Sequence, residues 1–380
     1  MRIANICLSR SWGGLEMQAL RWACHLCERG HSVTSMVLRG SRLSENLLKQ
    51  GLPQITVPLL SNYFNPGASF KIRSFLKSER IEIVQVHCSR DLWILHPACI
   101  GIEAPKTFLI NRIHFRKVTK KDPLHTLVFK RLAGVITLTE FARKLFIAQT
   151  RISPEKVTVI PNGFRVSDYD VTPETRRSVR NELQIDESAI AIGCVGRIDR
   201  LKGQYEAIEA VRSVASRYKN LKLFIVGEPT LSEGEPYLDF LKRKVHEYRI
   251  ESIVIFLGYR EGIPRLLSAF DIFVLPSYEE TFGNSLVEAM LSGLACIGTD
   301  SGGTPEVLDG GRVGLLVEPR SSGALARAIQ TLIENNELRV ELGRRARQWA
   351  RQKFDCNVVF SRIENLYMKA LSQQSGAHSR

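Results

Sequence analysis

Two carboxylates, Glu280 and Glu288, stand with seven residues between them in the stretch PSYEETFGNSLVEAM, residues 276–290. Phe282-Gly283 between them reads as a turn that opens an amphipathic helix, and residues 269–275 just upstream read as a short buried strand. The order strand, glycine loop, helix has a chemical consequence. A helix N-terminus presents unpaired N–H groups and the positive end of the helix dipole, and both favour anions. A carboxylate in the loop and another within the helix can accept hydrogen bonds from vicinal hydroxyls. Phosphate gripped by backbone and hydroxyls gripped by two acids would hold a nucleotide sugar. Two acids on a solvated helix face would give the same spacing without any chemistry, so the neighbouring segments must decide.

Cations stand where such a ligand would need them. Gly196-Arg197 ends an apolar run, and Lys202-Gly203 follows at the start of a helical segment. An Arg and a Lys beyond the carboxyl end of a parallel strand can neutralise a diphosphate and stabilise charge as it departs. Trp12-Gly13-Gly14-Leu15-Glu16 joins the first apolar run to its helix, and two glycines there allow close backbone approach to a ligand. The loop lacks the GxGxxG spacing of a dinucleotide site. Two histidines, His87 in Val86-His87-Cys88-Ser89-Arg90 and His114 in Asn111-Arg112-Ile113-His114, fall at expected strand ends.

Together these segments resemble the retaining glycosyltransferases of GT-B architecture, family 4 (group 1) type, similar to lipopolysaccharide-core and polysaccharide glycosyltransferases. The likeness runs along nearly the whole chain and is denser in the second half. It implies an α/β fold of two doubly wound Rossmann-like domains facing a central cleft, and sugar transfer with retention of configuration. In that setting Arg197 and Lys202 hold the leaving diphosphate, Glu280 the sugar hydroxyls and Glu288 the ribose. Backbone N–H groups of Phe282, Gly283, Asn284 and Ser285 cradle the phosphates, with Gly13 and Gly14 of a GG-x-E loop as further donor contacts. Asp300-Ser-Gly-Gly-Thr-Pro-Glu306 matches a glycine turn near the donor sugar, and Gly258-Tyr259-Arg260 a segment near the nucleobase. His114 matches a histidine near the anomeric carbon, while His87 and Arg112 fall on the acceptor side. The implied route is front-face attack, in which the protein positions reactants and stabilises charge. Cations and N–H groups meet the leaving charge, so neither a metal nor a cofactor is expected. Pro161-Asn162-Gly163 matches the family's crossover, but Arg165 stands where Asp is usual.

The elements that must position these residues are legible as alternation. Expected strands are 2–8, 32–38, 81–87, 106–113, 134–139 and 157–161 in the first half, and 189–196, 221–227, 253–258, 270–275 and 295–299 in the second. Segments of three-to-four spacing, such as 17–29 and 72–80, lie between them. Short apolar runs alternating with helices imply parallel sheets, whose ligands bind beyond the carboxyl ends of the strands. The expected division is a first domain over 1–163, a turn-rich linker over 164–186, a nucleotide-sugar domain over 187–355, and a helix over 356–380 that returns to the first domain before fraying. Asp168-Tyr169-Asp170 imitates a metal-binding DxD but falls in the linker, away from any strand end, and no metal is expected there.

A chain of 380 residues with 44% apolar and 24% charged side chains suits two soluble globular domains. No run approaches the roughly 18 apolar residues needed to span a bilayer. The opening MRIANICLSRSWGG is too short in apolar residues for a signal peptide and reads as a core strand. Eight cysteines scattered through apolar runs suit free thiols in a reducing compartment. Cys24 and Cys27 form a CxxC without a second pair at zinc spacing, in a segment of helical period, which favours packing over metal.

Charge is lopsided. Residues 1–165 carry 25 Lys+Arg against 10 Asp+Glu, or +15, and residues 166–380 carry 28 against 29, or −1, which sum to +14. A basic half beside a neutral one points to an anionic partner. The expectation is a cytoplasmic protein, peripheral at the inner membrane face, acting on an anionic glycolipid or lipid-linked glycan. Arg112, Arg116, Lys117, Lys120, Lys121, Lys130 and Arg131 with Phe115 and Phe129, and Lys71, Arg73 and Lys77 with Tyr63, Phe64, Phe70 and Phe75, are candidate patches. Competing classes are a GT-B nucleotide-sugar epimerase, a sugar phosphorylase and a nucleic-acid-binding module. The last lacks aromatic stacking platforms or a recognised binding motif, so no nucleic-acid partner is expected.

Overall fold

Aliphatic runs such as Arg2–Cys7 and Ala295–Thr299 bury nearly every side chain. Strands buried on both faces belong to parallel sheets covered by helices on each side. The computed structural model, which describes residues 1–58, 65–102, 105–111, 119–230 and 234–375, has this architecture twice. It divides into two compact units, Met1–Asn162 with Cys356–Arg380, and Gly163–Asp355.

The first unit holds β1 (Arg2–Cys7), β2 (Ser32–Leu38), β3 (Gln54–Val57), β4 (Ile83–Val86), β5 (Lys106–Asn111), β6 (Gly134–Thr137) and β7 (Val157–Val159). All pair in parallel, in the order β3-β2-β1-β4-β5-β6-β7. Its core runs under the sheet from Ala4 and Ile6 to Val84, Val86 and Leu109, covered by helical side chains such as Ile72, Leu95 and Phe129. The helix Cys356–Ser375 belongs to this unit and buries Phe360, Ile363 and Tyr367. Glu364 on it takes Arg29 at 2.5 Å and His31 at 2.8 Å.

The second unit holds β8 (Ile190–Val195), β9 (Leu221–Val226), β10 (Val254–Gly258), β11 (Ile272–Leu275), β12 (Ala295–Thr299) and β13 (Leu315–Val317). These are again parallel, in the order β10-β9-β8-β11-β12-β13. In each sheet the chain winds outward from a central pair, β1 beside β4 and β8 beside β11. Loops leaving such a pair diverge to opposite faces and open a crevice at the carboxyl edge.

One expected boundary differs. The segment 164–186, read as a linker, is structured as part of the second unit. Its helix Pro173–Glu182 sends Arg176 and Arg180 to Asp271, at 2.6 and 3.3 Å, and Asp271 also accepts the Ala191 N–H at 2.8 Å. Turn formers set its start, but a buried guanidinium network holds it, and charge pairing of that kind leaves no apolar period to read. At the other end, the helix Asn336–Phe354 closes the second unit and the helix Cys356–Ser375 starts after Asp355, where the backbone leaves the helical region (φ −58°, ψ 129°). Among the described residues no helix is long and apolar enough to cross a membrane.

Candidate active site

The loops after β8 and β11 leave adjacent strands, and they carry the residues in question. Beyond β8, Arg197 is exposed, and Asp199 begins a short 3-10 turn over Arg200–Lys202 by accepting the Leu201 N–H at 2.9 Å. Gly203 ends that turn in the left-handed region (φ +68°) and caps the helix Gln204–Ala215. A Cβ at this position would collide with the Pro276 carbonyl, so only glycine lets the two loops meet. Tyr278 seals the contact, donating its N–H to the Leu201 carbonyl at 2.8 Å. The result is that Lys202 Nζ reaches Glu280 Oε2 at 2.5 Å.

Glu280 is held from a third side by the loop after β12. Gly302 (φ +64°) lies so close to the Glu280 carbonyl that any side chain there would overlap it, and the Gly303 N–H donates to that carbonyl at 2.7 Å. Thr299, which ends β12, donates its hydroxyl to the Ser277 carbonyl at 2.6 Å, and Ser277 Oγ lies 3.4 Å from Glu280 Oε2. The Glu280 side chain is 16% exposed and that of Lys202 25%. A largely shielded cation beside a largely shielded carboxylate, at the mouth of a parallel sheet, can bind phosphate through one and hydroxyls through the other.

The helix expected after Phe282-Gly283 runs over Asn284–Leu291 with Gly283 as its cap, so the N–H groups of Asn284 and Ser285 head the helix. Glu288 lies one turn in and is buried to 7%. Phe282 is buried too, its ring edge-on to Phe354 at 5.4 Å. Tyr259, in the expected nucleobase segment, is 42% exposed just after β10, the outer strand of the sheet.

In the first unit Gly13 and Gly14 head the helix Gly14–Glu28 after β1, with Gly13 in ordinary extended backbone (φ −169°). His87, expected on the acceptor side, is a packed residue. It is 1% exposed, its Nε2 lies 2.6 Å from Asn5 Oδ1, and its ring meets Trp22 edge-on at 5.7 Å. The alternation of β4 continues through it and turns the imidazole inward. Arg112 and His114 lie outside the described residues. Asp170 of the DxD look-alike is bound by Arg347 and Arg351, as a structural anchor would be. Cys24 and Cys27 are half-buried and form no disulfide. Phe129, counted toward a basic surface patch, is core at 2% exposure, and Phe75 packs against the same core.

Sequence reasoning passed over Asp91. It is 3% exposed, takes the Leu8 N–H at 2.9 Å, and burial pushes its carboxyl up to about 7. Glu16, itself buried and accepting from Ser9 Oγ at 2.5 Å, adds to that rise, while Arg90 opposes it. Two buried carboxyls thus hold the loop that leaves β1. The available signal was an acid in the turn that follows a strand, which is common enough to be silent.

Residues 175–349 match the family model described as glycosyl transferases group 1, and residues 12–168 match that of glycosyltransferase family 4. The chain is 25% identical over 379 residues, 95% of each chain, to the N-acetyl-alpha-D-glucosaminyl L-malate synthase of Bacillus anthracis. To the D-inositol 3-phosphate glycosyltransferase of Corynebacterium glutamicum (strain R) it is 31% identical over 228 residues, 58% of this chain and 54% of that one. Among solved structures, Anabaena HepE in complex with UDP has 22% identity and a TM-score of 0.86, over 97% of this chain and 100% of that chain. WaaG, a glycosyltransferase involved in lipopolysaccharide biosynthesis, has 21% identity and a TM-score of 0.67, over 92% and 95%. These structural likenesses establish the fold.

Proposed function

Because the chain belongs to the group 1, family 4 glycosyltransferases, we propose that it moves a sugar, with retention of configuration, from a nucleotide-sugar donor to a lipid-linked or lipopolysaccharide-core glycan. The observation that carries this reading is the Lys202–Glu280 pair at the junction of three loops. Lys202 and Arg197 take the diphosphate as its charge grows, helped by the N–H groups of Asn284 and Ser285. Glu280 accepts from sugar hydroxyls and Glu288 from the ribose. His114 orients the anomeric centre, and the acceptor hydroxyl attacks from the face that the leaving group departs. The rate then comes from positioning and charge stabilisation, without a covalent sugar intermediate or a bound metal. The +15 carried by residues 1–165 supports work at the anionic cytoplasmic face of the inner membrane.

The names of two relatives favour a second acceptor class. Malate and inositol 3-phosphate are small anions, and a basic first unit suits them as well as an anionic glycolipid. One experiment addresses donor and chemistry together. Incubation with UDP-, GDP- and ADP-sugars, with nucleoside diphosphate release as readout and Glu280→Ala in parallel, should give release from one donor and none in the variant. Glycolipid and small-anion acceptors are then compared for stimulation of that release, and the product's anomeric coupling constant reports retention. No release from any donor under these conditions would refute the transferase reading.

A further inference from the structure

A carboxylate is buried beside the Lys202–Glu280 pair without belonging to it. Glu206 stands in the first turn of the helix Gln204–Ala215, four residues after Lys202, and is 9% exposed. Its Oε1 accepts the Tyr278 hydroxyl at 2.5 Å, while its Oε2 is buried with no hydrogen-bond partner among the described residues. Burial, and then Glu206 itself, raise the Tyr278 phenol above its usual range, so the hydroxyl stays a donor. On the ring face of Tyr278 lies the Arg320 guanidinium, 4.7 Å from the centroid. Arg320 holds a left-handed backbone (φ +61°), which a non-glycine residue adopts at a cost. A buried carboxylate with one oxygen unsatisfied is a poor way to add stability, since an apolar side chain of similar size would pack without that penalty. What it supplies is geometry.

We infer that Tyr278 and Glu206 are positioning residues for the transfer reaction, their bond fixing the spacing of the two loops that carry Lys202 and Glu280. The inference rests on the transferase reading given above. Tyr278 lies two residues before Glu280, and Glu206 four after Lys202, so the bond is a second tie across the junction where ammonium meets carboxylate. The Tyr278 N–H on the Leu201 carbonyl is a third tie, made by the same residue. A backbone bond at one end of the tyrosine and a charge-assisted bond at the other leave it little freedom to pivot. The ring itself is rigid, with two side-chain torsions, so it holds the spacing where a longer flexible side chain would not. Neither residue needs to touch the donor, because both act through Lys202 and Glu280. Groups that grip phosphate and hydroxyls must be placed closely, and a shift of about 1 Å can cost on the order of 100-fold in rate.

The test pairs urea midpoints of the full chain with kcat/KM for donor-dependent nucleoside diphosphate release. Tyr278→Phe keeps the ring beneath Arg320 but strands Glu206 without its donor, so stability and activity should both fall. Tyr278→Phe with Glu206→Met removes the stranded carboxylate as well. Its midpoint should return close to the native one while kcat/KM stays about ten-fold low, because the tie between the loops is still missing. Glu206→Gln keeps an acceptor for the phenol and should stay within about three-fold of native kcat/KM. Midpoint and kcat/KM that recover together in the double variant show a packing contact and overturn the inference. Tyr278→Phe that matches a releasing native chain in kcat/KM, or Glu206→Gln that loses as much as Tyr278→Phe, overturns it too, and each of these results leaves the transferase reading intact. A native chain that releases nucleotide from no donor refutes the transferase reading itself, and the inference falls with it.

Discussion

Lys202 Nζ lies 2.5 Å from Glu280 Oε2, although the two residues are 78 positions apart in the chain. The approach depends on Gly203 backing onto the Pro276 carbonyl and on Gly302 backing onto Glu280 itself. In the proposed reaction the ammonium serves the leaving diphosphate and the carboxylate the sugar hydroxyls, so their contact brings the two tasks to one point.

Replacing Lys202 with Met should therefore cost turnover far more than stability. The expected loss in kcat/KM is on the order of 10²–10³, as for removal of one group that stabilises developing charge. The apparent Tm should stay close to the native value, because both partners are partly solvated. Steady-state donor kinetics with a thermal melt of the same samples checks both halves.

Gly203→Ala should fail differently. The side chain would meet the Pro276 carbonyl in a left-handed backbone, so the loop must shift, at a cost of roughly 1–3 kcal/mol. Donor KM should rise together with the loss of stability in urea, whereas Gly310→Ala, left-handed but with open space around it, should show the smaller stability loss alone.

Asp91 predicts a pH dependence. Its carboxyl is raised from 3.8 to about 7 in the folded chain, so between those values the folded state binds the extra proton. Stability should fall as pH rises from about 4 to about 7 and level off above. Asp91→Asn keeps an acceptor for the Leu8 N–H and removes the titration, so it should flatten this slope and be the more stable form at pH 8. Urea midpoints at pH 5 and pH 8 for both proteins test it; equal slopes would reject the assignment.

Tyr367 donates its hydroxyl to the Gln85 side chain inside the first unit. Tyr367→Phe leaves that buried carbonyl without its donor and should cost about 1–3 kcal/mol. Ending the chain at Asp355 would also strip Phe360 and Ile363 from the same core, and the shortened protein should not fold as a soluble first unit. Chemical denaturation of the first variant and solubility of the second are the measurements.

Most strands could be read because their aliphatic runs are buried on both sides; 32–38 and 295–299 were read to the residue. The two missed strands, Gln54–Val57 and Leu315–Val317, are short outer strands with half-exposed positions, so neither forms a continuous apolar run. The loops that bring Lys202 to Glu280 were legible because they follow the ends of β8 and β11, and strand ends mark the ligand edge of a parallel sheet.

What the sequence determined by itself was this grammar: two parallel-sheet units, the loops that bear the cations and acids, and the basic bias of the first 165 residues. Tertiary structure alone decided that Lys202 touches Glu280, that His87 turns inward to Asn5, that Phe129 is core while Leu124 and Leu127 are surface, and that Asp91 is buried. The reason is range. Periodicity and turn chemistry act over a few residues, whereas burial and partner choice depend on which distant segment packs alongside, and that is set only when the whole sheet has formed.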